Sequence, residues 1–449
     1  MTAVDSESRF LVIGAGPVGL AMAKALKTHA IPYEQVDADS GVGGNWRHGV
    51  YEGVHIISSR RTTEFPDYPM PAGTPDFPSR AQMLAYLEDY ARHFGLLENI
   101  RFNTRVVWVR ALGAAGYEVT FADGASRRYK GVLVANGHHW SRRMPDIPGR
   151  FAGELIHSKD YRHPDQLRGR RVLVIGGGNS ACDIVSEAAR SAVEAHLSLR
   201  RGYWFMPKTF FGVPTAELIH PLMPVPLQKI LLKALIRIAV GDYRRYGLPR
   251  PDHDLFEHHP TISTEILHYL KHGRITPHPD IARFEGSRVV FVDGSAIEAD
   301  LVIAATGYHV DFPFLPPEMA PVEGPVVKAY GGLVVPGFRH LYLIGWSQPR
   351  YGFGPLLVPA SELVARLIRL QDEIAHPLGD VLKAMGVKPP ETHLADPHRQ
   401  IRQMRRAMRR LPLVRWFARH RMKEPARLKE TAPHPGPDWV LARAQMPVY

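Results

Sequence analysis

Two glycine-rich motifs in the sequence have the residue types and spacing that bind dinucleotides. The first is Gly14-Ala15-Gly16-Pro17-Val18-Gly19, which follows an apolar strand and opens a helix. Its three glycines allow a tight turn, let backbone N–H groups approach a pyrophosphate and let the helix pack against the strand. A second strand ends at Asp37, where a carboxylate can accept hydrogen bonds from both ribose hydroxyls. This context predicts a bound dinucleotide rather than a glycine turn without a ligand.

The second motif, Gly176-Gly177-Gly178-Asn179-Ser180-Ala181, also lies between a strand and a helix. The strand that follows it ends in Arg200-Arg201, where the first copy has Asp37. A guanidinium pairs with a 2′-phosphate that a carboxylate would repel, so this site is expected to prefer NADPH to NADH. The expected contacts are Gly176, Gly178, Asn179, Ser180, Arg200 and Arg201. The alternative is that the two arginines form a solvated strand edge.

Two parallel sheets are needed to position these motifs. The runs FLVI at residues 10–13 and VLVI at residues 172–175 suit strands that are buried on both faces. Each is followed by a glycine turn and an Ala-rich helix, which predicts an α/β fold with two Rossmann-like dinucleotide-binding domains, the NADPH domain being inserted into the other. Asp123-Gly124 and Asp293-Gly294 predict one hairpin in each half.

Composition limits the class of protein. With 449 residues, 45% hydrophobic and 22% charged, the chain reads as a multidomain enzyme rather than a disordered or fibrous protein. The single cysteine, Cys182, excludes an intramolecular disulfide and a cysteine-rich zinc site, and it is expected to be a packed side chain. No metal is expected, because the His- and Asp-rich segment at 252–259 lacks ligand spacing. The polar N-terminus carries no signal pattern, so a cytoplasmic location is expected.

A third motif lies between the two glycine loops. Residues 151–161, FAGELIHSKDY, match the pattern F-x-G-x-x-x-H-x-x-x-Y. By this motif the chain resembles the class B flavin-dependent monooxygenases, and among them the flavin-containing monooxygenase branch. Over about residues 9–370 there are supporting similarities, namely GVGGNW at 41–46, DYPMP at 67–71, GHH at 137–139, ATGY at 305–308 and IGWSQP at 344–349.

This resemblance implies FAD on the first fold and NADPH on the second. It implies an oxidoreductase that uses O2 to oxygenate a nucleophilic nitrogen or sulfur of a small substrate through a C4a-(hydro)peroxyflavin. Tyr161, where the Baeyer–Villiger branch usually has Trp, favours an amine or sulfide over a ketone and is a candidate catalytic residue. The resemblance adds the cofactor contacts Gly44, Asn45, Trp46, His157, Thr306 and Gln348. For His157 the alternative is a packed linker histidine.

One departure from the family pattern bears on catalysis. Counted back from Asp67, the position of the family's active-site Asn falls on Ile57. Isoleucine cannot hydrogen-bond to flavin, oxygen or nicotinamide, so Ser58 or Ser59 is expected to supply a polar contact. If neither does, the alternative is an uncoupled NADPH oxidase that releases hydrogen peroxide. Baeyer–Villiger oxidation of ketones on the same cofactors is the other alternative.

The expected domains are an FAD-binding domain at residues 1–165 and 301–395, an NADPH-binding domain at 166–300 and a basic tail at 396–449. The net charge is +12, and residues 402–429 contain eleven basic residues and one acid. Bases interleaved with Trp416 and Phe417 are typical of a peripheral helix on an anionic membrane. The alternative is a helix folded back on the enzyme, with Pro412 interrupting its apolar stripe. Nucleic acid is not expected, and the sequence does not indicate an oligomeric state.

Overall fold

The computed structural model describes residues 6–219, 223–434 and 436. The ends of two predicted segments, residues 1–5 of the first domain and residues 435 and 437–449 of the basic tail, lie outside the described residues, as do residues 220–222 of the NADPH domain. The α-helices are α1 (Pro17–Thr28), α2 (Arg60–Thr63), α3 (Arg80–His93), α4 (Asn179–Ser191), α5 (Val225–Ala239), α6 (Glu265–Lys271), α7 (Gly354–Glu373), α8 (Leu378–Ala384) and α9 (Pro397–His420).

Two five-stranded parallel sheets form the framework of the fold. Their strands in chain order are β1 (Phe10–Ile13), β2 (Tyr33–Val36), β3 (Ile100–Arg101), β4 (Gly131–Val134), β5 (Glu154–His157), β6 (Arg171–Ile175), β7 (Glu194–Ser198), β8 (Thr276–His278), β9 (Leu301–Ala304) and β10 (Leu341–Leu343). The first sheet has the order β10-β4-β1-β2-β3 and the second the order β5-β9-β6-β7-β8. All five strands of the second sheet lie in the chain between β4 and β10, so the second sheet is inserted into the first.

The pairing of β5 and β9 corrects the predicted domain boundaries. Strand β9 was expected to return to the first sheet, but it pairs in parallel with β5 and with β6 of the second sheet. Boundaries at residues 165 and 301 would therefore remove two of the five strands from the second sheet. The reason is that an apolar run indicates a buried strand without indicating which of two similar sheets it joins. Strand β10 does complete the first sheet, beside β4.

Alternation along β1 shows why both faces of this strand are apolar. Phe10 and Val12 lie in a core with α1, α3 and α7, whereas Leu11 and Ile13 lie in a second core on the opposite face. Successive strand side chains point to opposite faces, so a strand covered on both sides needs apolar residues throughout. The second sheet is covered in the same way by two further cores.

Both predicted hairpins are confirmed. Strand Tyr117–Phe121 pairs antiparallel with Ser126–Tyr129 across Asp123-Gly124, within a three-stranded sheet. Strand Arg288–Phe291 pairs antiparallel with Ala296–Glu298 across Asp293-Gly294.

Two helices contain an internal proline. Helix α7 spans Gly354–Glu373 with Pro359 inside it. Helix α9 runs continuously through Pro412, which was expected to interrupt its apolar stripe. Proline removes one backbone donor, but packing of the surrounding turns against the core can retain the helix.

Candidate functional site

A cavity of about 1800 Å³ opens where the carboxyl ends of the two sheets meet. Gly14 and Gly16 of the first glycine loop line it, and so do Gly178 and Ser180 of the second. In open parallel sheets ligands bind outside the carboxyl ends of the strands, because the loops there are free to surround them. The fold therefore brings both predicted dinucleotide loops to one cavity.

The first glycine loop is shaped by close backbone contacts. Gly14 has φ +107°, and a Cβ added there would lie 2.5 Å from the Ala135 carbonyl oxygen. A Cβ at Gly19 would lie 1.9 Å from the Gly14 carbonyl oxygen, so Gly19 allows α1 to pack on the loop and does not itself line the cavity. Gly44 has φ +56° and faces Gly16, where a Cβ at Gly44 would lie 3.1 Å from the Gly16 Cα. This is a backbone cradle that side chains would fill.

Asp37 lies just beyond β2, and it is buried and lines the cavity. Its carboxylate accepts hydrogen bonds from the backbone N–H groups of Ala15 and, at 2.8 Å, Asp39. Burial raises the pKa of Asp37 to about 6, against the lowering effect of these two hydrogen bonds. The two N–H groups fix the carboxylate at the mouth of the glycine loop, where sequence analysis expected a ribose contact.

Asn45 and Trp46 also line the cavity beside Gly44. The amide of Asn136, after β4, lines the cavity as well, and its Oδ1 and Nδ2 atoms are buried without a hydrogen-bond partner in the described part of the chain. Buried polar groups are normally paired, so this amide fits a wall that contacts a polar ligand. A flavin dinucleotide therefore fits the donors and the backbone cradle present on this side.

The residues of the second glycine loop have different positions relative to the cavity. Gly176 has φ +118° and approaches the Ala305 carbonyl oxygen, behind the cavity wall. Gly178 caps α4, and Asn179 and Ser180 follow it on the wall. The Asn179 Oδ1 atom accepts a hydrogen bond from the Ile262 N–H at 2.8 Å, which anchors the loop to the neighbouring segment.

Arg200 and Arg201 lie in different environments. Arg201 lines the cavity, with Nη1 2.8 Å from the His258 Nε2 atom and its guanidinium over the Tyr203 ring. Arg200 is exposed and does not line the cavity. Of the two predicted arginines, Arg201 therefore faces the cavity and Arg200 does not.

Four further predicted residues also lie away from the cavity: Ser59, His157, Tyr161 and Thr306. Tyr161 is buried in a core of the second sheet, and its hydroxyl donates to Glu187. The Thr306 hydroxyl donates to the Arg143 carbonyl oxygen. Both side chains have structural partners, which a sequence motif does not reveal.

Ser59 and His157 also have structural roles. Ser59 is fully buried and caps α2, where its hydroxyl accepts the Thr62 N–H. The His157 Nδ1 atom accepts the Lys159 N–H at 3.1 Å, so its Nε2–H donates to the Gly307 carbonyl oxygen at 3.0 Å. His157 is therefore a packed linker histidine, the alternative that the sequence had left open. Ile57 and Ser58 do line the cavity, with the Ser58 hydroxyl 2.8 Å from the Thr63 hydroxyl.

Residues 7–369 match the sequence pattern of the flavin-binding monooxygenase-like family. The chain belongs to this family. A rabbit (Oryctolagus cuniculus) flavin-containing monooxygenase 5 is 33% identical over 80% of this chain and 72% of its own length. A mouse (Mus musculus) dimethylaniline monooxygenase [N-oxide-forming] 2 is 30% identical over 80% of this chain and 72% of its own. The protein is thus an oxidoreductase, a flavoprotein monooxygenase.

A solved structure with a similar fold is that of OTEMO in complex with FAD and NADP. It has a TM-score of 0.66 and 20% identity, and the match covers 82% of this chain and 85% of that one. At this identity the similarity concerns the fold.

Lys159 lies inside the 151–161 motif of this monooxygenase and was not predicted as a site residue. Lys159 is almost fully buried, and its Nζ donates to Asn45 Oδ1 at 2.9 Å and to the His139 carbonyl oxygen at 3.0 Å. Burial lowers its pKa to about 7. The sequence shows a lysine two residues before Tyr161, but the partners of this lysine are 20 and 114 residues away in the chain.

One wall of the cavity, built by residues 389–396 together with the start of α9, was not predicted either. Strand Gln348–Pro349 pairs in parallel with Leu394–Ala395, and this pairing holds the wall against the predicted cofactor residue Gln348, which lines the cavity. The wall lies beyond residue 369, where the family match of this monooxygenase ends.

Cys182 is fully buried in a core of the second sheet, which confirms the expectation of a packed side chain. In the described part of the monooxygenase, no helix is both long and apolar enough to cross a membrane.

Proposed function

We propose that this protein is an FAD- and NADPH-dependent monooxygenase that transfers one oxygen atom of O2 to a nucleophilic nitrogen or sulfur of a small substrate. The observation that carries the proposal is that two glycine loops, one from each parallel sheet, line a single cavity. Two dinucleotides bound at the ends of separate sheets can meet there, as transfer of a hydride between them requires.

We assign FAD to the first sheet and its surroundings. Gly14 and Gly16 would hold the pyrophosphate and Asp37 the ribose, while Gly44, Asn45 and Trp46 form the adjoining wall. The two N–H groups that fix Asp37 leave further lone pairs on its oxygens to accept ribose hydroxyls.

We assign NADPH to the second sheet. Gly178, Asn179 and Ser180 would hold its pyrophosphate at the start of α4, where backbone N–H groups and the helix dipole favour an anion. Arg201 would pair with the 2′-phosphate, and the exposed Arg200 would not.

When bound, FAD supplies the redox chemistry, accepting a hydride from NADPH and passing electrons to O2. In the net reaction with a sulfide, one oxygen atom forms the sulfoxide and the other leaves as water. NADPH supplies two electrons and solvent supplies a proton.

The chain's own contribution is to bind, to orient and to limit stray protons. His138 and His259 line the cavity, and burial lowers the pKa of each, to about 4 for His138. These imidazoles are therefore neutral near pH 7 and are weak proton donors. A cavity wall with few acidic protons favours productive oxygen transfer over release of peroxide.

One of the family relatives supports a nitrogen substrate, because it is named as an N-oxide-forming monooxygenase. The test is to load the protein with FAD and supply NADPH, O2 and either methyl phenyl sulfide, dimethylaniline or cyclohexanone. We expect sulfoxide or N-oxide in near-stoichiometric yield relative to NADPH consumed. Lactone formation from the ketone alone would contradict the proposed reaction class.

A second candidate, an uncoupled NADPH oxidase, is favoured by Ile57 on the cavity wall and by Ser58 facing Thr63. It predicts one hydrogen peroxide per NADPH with every substrate. Measuring peroxide alongside product in the same experiment separates the two candidates.

A further inference from the structure

Arg350 lies on the cavity wall two residues after Gln348, where the C-terminal wall joins the first sheet's loops. Its backbone N–H donates to the Ala395 carbonyl oxygen at 3.0 Å. Its side chain is 14% exposed, and the guanidinium lies over the Phe256 ring, 4.6 Å from the ring centre. A segment of each half of the molecule and the C-terminal segment thus surround this one cation.

The hydrogen-bonding groups of this guanidinium are incompletely used by the protein. Its Nε and Nη1 atoms are buried and have no hydrogen-bond partner among the residues that the structure describes. The carboxylate of Asp396 is close by, but its Oδ2 lies 3.9 Å from Nη1, beyond hydrogen-bond distance. A buried charged donor without an acceptor is costly, so its retention in a cavity wall calls for a function.

Asp396 forms an ion pair with Arg350 at 3.9 Å but accepts no hydrogen bond from it, because this carboxylate also caps another element. Its Oδ1 accepts the Arg399 N–H at 2.9 Å and caps α9, a helix of 24 residues. The positive end of a helix dipole offsets a capping carboxylate. The negative charge of Asp396 is therefore partly offset by the helix, and Arg350 keeps its demand for an acceptor.

We propose that Arg350 binds a carboxylate of the substrate, so that this monooxygenase acts on acidic amines or sulfides in preference to neutral ones. This inference rests on the proposed function. A guanidinium offers a carboxylate paired, charge-assisted hydrogen bonds. The ring of Phe256 against the guanidinium and the nearby Asp396 favour a singly charged, partly apolar ligand over a doubly charged phosphate.

The wall around Arg350 lies outside the part of the chain that this protein shares with its family. The wall that holds Arg350 in place comes from residues 389–396, outside the region that matches the family. The cofactor loops lie inside that region. The C-terminal wall would thus give this protein its preference for acidic substrates, while the cofactor site is shared with the family.

The experiment compares two sulfides that differ only in a carboxylate, methyl phenyl sulfide and 4-(methylsulfanyl)benzoate, with the FAD-loaded protein and saturating NADPH. We expect kcat/KM to be about 10- to 100-fold higher for the carboxylate, as a charge-assisted hydrogen bond would give. In Arg350→Met this ratio should fall to near one, and in Arg350→Lys, which keeps the charge, it should fall only in part. Arg350→Gln serves as a second neutral variant if the Met variant retains no FAD.

Arg399→Met is the matched control, because Arg399 is an exposed arginine on the same wall. It should change the ratio by less than about twofold, since exposed charges are screened by water. The inference is overturned if the wild-type kcat/KM for the carboxylate does not exceed that for methyl phenyl sulfide. It is also overturned if Arg399→Met lowers the ratio as much as Arg350→Met does. A rise in the KM for NADPH in Arg350→Met with no change in the ratio would instead assign Arg350 to the cofactor. If the wild type oxygenates neither sulfide, the proposed function itself fails.

Discussion

Adjacent residues in this protein can have unrelated surroundings, and Arg200 and Arg201 are the clearest case. They follow strand β7, along which successive side chains point to opposite faces. Arg201 faces the cavity beside His258 and Tyr203, and Arg200 faces solvent. Cofactor preference should therefore depend on one guanidinium.

Replacing Arg201 by Ala should raise the KM for NADPH about 10- to 100-fold, because a charge-assisted pair with the 2′-phosphate is lost. The KM for NADH, which lacks this phosphate, should change by less than about threefold. Steady-state NADPH and NADH oxidation at fixed O2 measures both values. Arg200→Ala is the matched control, and an effect as large in this variant would contradict the assignment.

At the scale of elements, α9 is part of the folded enzyme. Val414 and Ala418 are buried in the first core, and Met404, Met408 and Phe417 pack against it. Arg415 pairs with Glu373 of α7 at 2.8 Å. Beyond the helix, the Thr431 N–H donates to the Ala111 carbonyl oxygen at 3.1 Å. The apolar stripe of the basic segment is thus used for packing, which is the alternative that the sequence left open.

Membrane contact by residues 402–429 stays a prediction. Only the outer face of α9 is available for this contact, because the inner face packs against the core. Leu413 and Trp416 are about half exposed there, among arginines. This smaller apolar area favours a weak, salt-sensitive association with anionic lipid.

Helix α9 supplies a matched pair of stability variants in Val414 and Leu413. Val414→Asp should lower the free energy of unfolding by about 3 kcal/mol, because it places an unpaired carboxylate in the core. Leu413→Asp changes a side chain that is 51% exposed and should cost less than about 1 kcal/mol. Urea unfolding monitored by fluorescence gives both values. Equal effects would contradict the docking of α9.

At the scale of the whole molecule, the two halves are joined at Lys159. The Lys159 Nζ reaches from the loop after β5 of the second sheet to Asn45 and His139, which lie in loops of the first. A second link runs from the Tyr51 hydroxyl to Asp183 Oδ2 on α4, at 2.7 Å. Both links lie beside the cavity, so the relative placement of the two cofactor loops depends on buried polar contacts.

Lys159 should make stability depend on pH. Its pKa is about 7 in the folded protein against an ordinary 10.5, so between these values the unfolded chain binds a proton that the folded chain does not. Raising the pH through this range therefore stabilises the folded state, by about 1–2 kcal/mol between about pH 7.5 and pH 9. Urea unfolding of the wild type and of Lys159→Met at both pH values measures this rise in the free energy of unfolding. We expect it to be absent in Lys159→Met.

Lys383→Met is the control, because Lys383 is exposed on α8. It should retain the wild-type pH dependence. A Lys159→Met variant that gains stability with pH as the wild type does would show that Lys159 is charged in the folded state at all these pH values.

The sequence by itself determined the features that depend on neighbouring residues in the chain. The glycine loops at 14–19 and 176–181, the strands that precede them, both Asp-Gly hairpins and the buried position of Cys182 all follow from residues within one turn or strand. Such features depend on backbone conformation and on alternating burial, which neighbouring residues specify. The family motif between the loops added the class of enzyme.

Tertiary structure decided which side chains face the cavity and which sheet each strand joins. Ser58 and Ser59 are chemically alike, yet one lines the cavity and the other caps a helix. Strand β9 pairs with strands more than a hundred residues earlier in the chain, and Lys159 donates to Asn45, 114 residues away. Periodicity and composition describe a residue's own segment, whereas burial, hydrogen-bond partners and a shared cavity arise only when distant segments pack together.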